Sequence, residues 1–246
     1  MIKIFRHLRK DFMESGKTWK YLTYALGEII LVVVGILIAL QVNNWNEARK
    51  RDIESDRIMQ VLHSEFTDNR KVLKERIKDL DEANVYVGAT LRLMNKDSAA
   101  LQKVNIEKIL SKSLKYGNYN PANSTLKELI SSGKLDLVRD EALKKKLFDW
   151  LQLLEDTDED FKNQDQQATT LLIPFLYKHI SMQNLNKYND LEVEDASELF
   201  DGDYYRVFHS LQFENLYQGK LFWNSIMLAH YEALDSLALE IVNKTR

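Results

Sequence analysis

The most informative chemistry-bearing residue is Glu28, the only charge in the run from Tyr21 to Val42. A carboxylate among apolar side chains is costly to hold away from water, and by default it marks an ion path or a contact between helices. At 100° per residue, Gly35, Ala39, Val42 and Asn46 all fall within about 40° of Glu28 on a helix. That is a stripe of mostly small residues on the side of the one acid, of the kind that lets two helices approach closely. Glu28, Gly35, Ala39 and Asn46 are therefore expected to form a transmembrane interface or polar site, with Glu28 hydrogen-bonding across helices. The competing reading has Glu28 snorkelling to the nearer membrane surface.

Other groups fit ordinary structure better than chemistry. The acidic run Glu155-Asp156-Thr157-Asp158-Glu159-Asp160 suggests calcium, yet a loop starting at Asp156 has Phe161 where glycine is needed and Gln167 where glutamate is needed. A solvated helix face is expected instead. His7, His63, His179, His209 and His230 are scattered without metal-ligand spacing. Ser131-Ser132-Gly133-Lys134 lacks the leading glycine of a phosphate loop, because position 128 is Glu. Glu214-Asn215-Leu216-Tyr217-Gln218-Gly219 resembles a protease tag but lies within an apolar stripe and belongs to the chain proper. These readings give no catalytic residue, no metal and no cofactor, and an enzyme is the least favoured class.

Charge and composition narrow the partners. Residues 1–20 hold six Lys and Arg against two carboxylates, a balance of +4, so the net charge of −3 leaves −7 on the rest. An acidic body lacks the basic face that displaces counterions from nucleic acid, so no nucleic-acid partner is expected. The absence of cysteine excludes disulfides and thiolate ligands.

The elements that must position these residues are helices. Two prolines and eight glycines in 246 residues are too few turn formers for a β-rich fold. Tyr21 to Val42 is about the twenty residues needed to cross a bilayer, flanked by Trp19, Tyr21, Tyr24 and Trp45 where amphipathic rings prefer to sit. A cleaved signal peptide fits less well, because the uncharged run is too long and no small-residue cleavage site follows it. The expected organisation is a basic segment over 1–20, a transmembrane helix over 21–42 and a helical bundle over 43–246. Ile2, Phe5, Leu8 and Phe12 suit a short interfacial helix, with a disordered basic tail as the alternative. Six cations before the span against Arg49, Lys50, Arg51 and Arg57 after it favour a cytoplasmic N-terminus and a body outside.

In the body, Ile58, Leu62, Phe66, Leu73, Ile77, Leu80, Val87, Leu91 and Met94 recur at helical spacing with no Pro or Gly between Gly35 and Gly88. One long helix is expected there, able to continue directly from the span, then a turn at Asn95 to Ser98. A helix around 104–114, a Ser124-capped helix ended by Gly133, and an Asp140-capped helix reaching His179 with a kink at Pro174 should follow. Residues 181–203 read as a loop. The last helix is expected from about Glu214, with Leu216, Trp223, Met227, Tyr231, Leu234, Ala238 and Ile241 on one face. The fold class is all-α, a mostly antiparallel bundle of four or five helices with a long first one.

Two stretches carry a resemblance. YLTYALGEIILVVVGILIALQVNNWNEARK is similar to the start of a large Bacteroidetes family of uncharacterised single-pass proteins, and STLKELISSGKLDLVRDEALKKKLFDW to its central segment. The shared N-terminal motif runs from Gly27 to Glu47. The resemblance implies an envelope protein of the bacterial inner membrane with a periplasmic body, and it brings no activity, ligand or catalytic residue. The function expected is a non-enzymatic scaffold or adaptor, in contact with the lipid bilayer, forming a homo-oligomer and joining a larger envelope protein assembly. A channel-type subunit using Glu28, and a ligand-sensing bundle acting through a partner, are the alternatives.

Overall fold

The computed structural model describes residues 18–189, 195–200 and 202–246, and the expected interfacial helix at Ile2 to Phe12 lies outside them. The chain is 81% helical, with no strand among the described residues. It divides into two units, one ending at Arg57 and the other beginning at Ile58.

Helix α1, Thr18–Arg92, runs for 75 residues and contributes to both units. Its N-terminal part, long and apolar enough to cross a membrane, has none of its most apolar eighteen-residue window buried.

In the second unit the stripe predicted along α1 turns inward. Leu62, Phe66, Leu73, Leu80 and Val87 are buried, joined by Asn69, Ala83 and Thr90. Asn95, in the left-handed region at φ 56°, follows the end of α1. Short helices come next: α2 (Ser98–Leu101), capped by Asp97, and α3 (Ile106–Ser113), capped by Asn105. Helix α4 (Ser124–Ser131) departs from expectation, because its cap position is Asn123, which makes no capping bond. Ser124 instead donates to Glu65 of α1, which does the capping from another element. Gly133 adopts φ 67° and opens a 3₁₀ turn at Lys134–Leu137, as its position after a helix predicts.

Asp140 accepts from the amides of Ala142 and Leu143 and starts helix α5, Glu141–Gln167. The axis continues through a π-helical turn, Ala168–Leu172, into α6, Ile173–His179. Pro174 has no N–H for the carbonyl of Thr170, and the widened turn, which ends at Leu172, contains Thr170. The segment read as a loop contains α7 (Met182–Asn186), and α8 (Tyr204–Phe208) precedes α9 (Leu211–Lys244).

Three long helices carry the body, and the two shorter expected ones, α3 and α4, lie in the connection between α1 and α5. Pairings along α9 fix their sense. His63, Arg70 and Asn84 of α1 meet Val242, Asp235 and Asn224. Lys146, Asp160 and Gln164 of α5 meet Glu240, His230 and Asn224. Both α1 and α5 thus run antiparallel to α9 and parallel to each other. A parallel pair needs a long crossover, and residues 93–140 with their short helices supply it.

Candidate functional site

The predicted transmembrane residues lie on one helix. Glu28 is partly buried, whereas Gly35, Ala39 and Asn46 are exposed. A side chain added at Gly35 would meet nothing within 4 Å, so that face has room for a close neighbour. Ile29, Leu37 and Val42 around it are 60%, 58% and 59% exposed.

The body holds a polar feature the sequence reading overlooked. Its buried apolar residues form two clusters, one around Phe66 and Trp150, the other around Phe175 and Phe213. Between them stands a polar layer. Gln164 donates to Asn224, and Asn224 to Asn84, each at 2.8 Å. Gln167 donates to the carbonyl of Leu216 at 3.1 Å. A Cβ at Gly219 would fall 3.2 Å from that amide nitrogen, so a glycine suits this close approach. The π-helical turn begins at the next residue, Ala168.

Lys220 lies in this layer, 3% exposed, with its Nζ 5.1 Å from the centre of the Tyr116 ring. An aromatic face offsets part of the loss of water around a cation. Burial still pushes the amine down to about 8. The Tyr116 hydroxyl donates to Asp165 at 2.9 Å, and burial, reinforced by that carboxylate, pushes the phenol up to about 12. Tyr217 reaches Ser113 at 2.9 Å. The expected stripe named Trp223, yet Lys220 and Asn224 take the buried positions and Trp223 is only partly covered. A signal existed: 213, 217, 220, 224, 227 and 231 keep helical spacing, and two of the six are polar.

A second polar cluster ties the crossover to α1. Glu65 Oε2 accepts from the Ser124 hydroxyl and from the amide and hydroxyl of Thr125 at 3.2, 3.2 and 2.7 Å. Its Oε1 is buried with no partner. Asn69 both donates to and accepts from the backbone of Ala122, at 2.8 and 2.9 Å. Trp150 donates to Asn123 at 2.9 Å. These bonds explain the local sequence Asn-Ser-Thr: each residue meets a group on α1 or α5.

The remaining candidates take structural places. Asp160 pairs with His230 at 2.8 Å and Asp158 with Lys162 at 2.7 Å, so the acidic run is partly engaged rather than only solvated. Leu216 and Tyr217 are buried within α9, which makes the tag-like segment part of the core. His63 bonds the C-terminal turn at Val242 and Thr245. His7 lies outside the described residues.

Fold and span together define a class: an all-helical protein with one N-terminal segment suited to anchoring in a membrane. Within that class the chain belongs to a family of unknown function (DUF6090), whose model matches residues 28–155, just over half its length. No curated protein and no solved structure matches. The matched region begins at Glu28 and takes in both Glu65 and Asn69 and the crossover they hold, ending within α5.

Proposed function

We propose that the protein is a non-enzymatic adaptor of the inner membrane of a Bacteroidetes-type bacterium, with a cytoplasmic N-terminus and a periplasmic helical body. It self-associates through the face of α1 that carries Glu28, Gly35, Ala39 and Asn46, and presents the body to a larger envelope assembly. The observation that carries this reading is the exposure of apolar residues all around α1 from Ile29 to Val42. Such a surface is stable against lipid, and small residues are the ones that let spans pack. The adaptor role is supported by how the reactive-looking groups are engaged: His230 is held by Asp160, and Tyr116 by Asp165.

Crosslinking of the full chain in membranes tests the association. Gly35→Leu is expected to reduce crosslinked oligomer by separating the backbones, whereas Glu28→Gln, which keeps a hydrogen-bonding amide, retains it. Unchanged crosslinking in Gly35→Leu would remove this interface. Ion flux in liposomes that Glu28→Gln abolishes would replace the adaptor with a channel.

A further inference from the structure

The body contains a cavity of about 530 Å³ between the α2–α3 connection and the start of α8. That lies in the size range of pockets for small organic ligands. Its wall combines one carboxylate held in place with several phenol rings. Glu107, in the first turn of α3, accepts from the Tyr204 hydroxyl at 2.9 Å and from the Asn184 amide at 2.8 Å, both on Oε1. The other oxygen, Oε2, receives no donor among the described residues. Two neutral donors on one oxygen fix the carboxylate without neutralising its charge.

The rings have neighbours of their own. Asn105 accepts from the amide of Lys108 and donates to the Tyr188 hydroxyl at 2.8 Å, so the cap of α3 also orients Tyr188. Tyr205 stacks on His209 with centroids 3.9 Å apart. Tyr188, Tyr204 and Tyr205 all line the cavity, together with Glu107 and Asp203 and a single ammonium, Lys103. Among the described residues the wall thus carries two carboxylates against one cation. Burial and the neighbouring Glu107 raise the Tyr204 phenol, which keeps its proton and its bond to Glu107 at neutral pH.

Electron-rich ring faces beside a fixed carboxylate attract an organic cation rather than an anion. A metal ion is a poorer match, because no group of three His or carboxylate side chains stands close enough to hold one among the described residues. We propose that this cavity binds a small organic ammonium compound, with Glu107 as its counter-ion and Tyr188, Tyr204 and Tyr205 as an aromatic wall around the charged head.

Calorimetric titration of the full chain in maltoside micelles, which carry no amine, tests it. The probes are choline and its neutral isostere 3,3-dimethylbutan-1-ol. Choline is expected to bind saturably and the alcohol not to bind. Glu107→Gln keeps an oxygen for Tyr204 and Asn184 but removes the charge, and should weaken choline binding at least about tenfold. Tyr188→Leu should lose most of the affinity, which tests the wall even if the Glu107 variant folds poorly. No saturable choline signal, equal binding of the alcohol, or full affinity in Tyr188→Leu would each overturn the proposal.

Discussion

Helix α1 has two regions that obey different rules. From Leu22 to Val42 nearly every direction around the axis is apolar, and Leu31, Val32 and Ile38 are 68%, 57% and 60% exposed. From Ile58 to Arg92 the apolar residues form one stripe, where Leu62, Phe66, Leu73 and Val87 are fully buried, while Lys71, Lys74, Glu75 and Lys78 face water. The backbone is the same and the surroundings differ. An all-round apolar surface suits a medium without hydrogen bonds, and a stripe suits a protein core on one side with water on the other. The span carries one ionisable group in apolar company, Glu28, and α9, which pairs with the second region, buries another, Lys220, in a polar layer.

The largest expected effect separates the two regions directly. Phe66→Ala removes a fully buried ring that packs edge-on against Trp150 at 5.0 Å. It should cost the body about 3–5 kcal/mol in urea unfolding followed by tryptophan fluorescence. Leu37→Ala on the same helix should leave that transition within about 0.5 kcal/mol of wild type. Equal losses at both positions would mean that the span contributes to the core of the body, and the contrast would fail.

A smaller effect concerns Lys220. Its folded amine lies near 8 against 10.5 for the free group, so between those values the unfolded chain binds more protons than the folded one. Stability therefore rises with pH across that window, and below about 8 the full cost, about 3 kcal/mol, is present. The phenols oppose this at higher pH. Tyr116 and Tyr231 are raised from 10.0 to about 12, so above pH 10 the folded state keeps protons the unfolded state loses, and stability falls. Unfolding midpoints should peak near pH 10. Lys220→Met should raise stability at pH 7 and flatten the rise while leaving the decline. A wild-type curve flat from pH 7.5 to 10 would contradict the burial of this amine.

Much of the fold was legible from spacing. The stripe from Leu62 to Val87, the stop at Gly133 and the cap at Asp140 each arise from local chemistry and stand where the spacing puts them, whereas the disturbance expected at Pro174 falls earlier, at Ala168–Leu172. What escaped depends on distant partners. Asn69, Lys220 and Asn224 occupy buried stripe positions with polar side chains, and nothing adjacent in sequence says that Ala122, Tyr116 and Gln164 will meet them. Local rules point to Ser124 as the cap of α4 because they know only local acceptors, whereas Glu65 lies about sixty residues away. The cavity beside Glu107 was invisible for the same reason: its rings come from residues 188, 204 and 205, some eighty to a hundred positions further on.

The central claim is that the apolar part of α1 crosses a membrane with the body on the far side. Because the chain has no cysteine, single substitutions report cleanly on sidedness. Ser98→Cys and Ser15→Cys, each in the full chain, are treated in intact spheroplasts with a membrane-impermeant thiol reagent, before and after lysis. The account predicts that Ser98→Cys is labelled in intact cells and Ser15→Cys only after lysis. Labelling of Ser15→Cys alone would invert the orientation, and equal labelling of both in intact cells would show that the segment does not span the membrane.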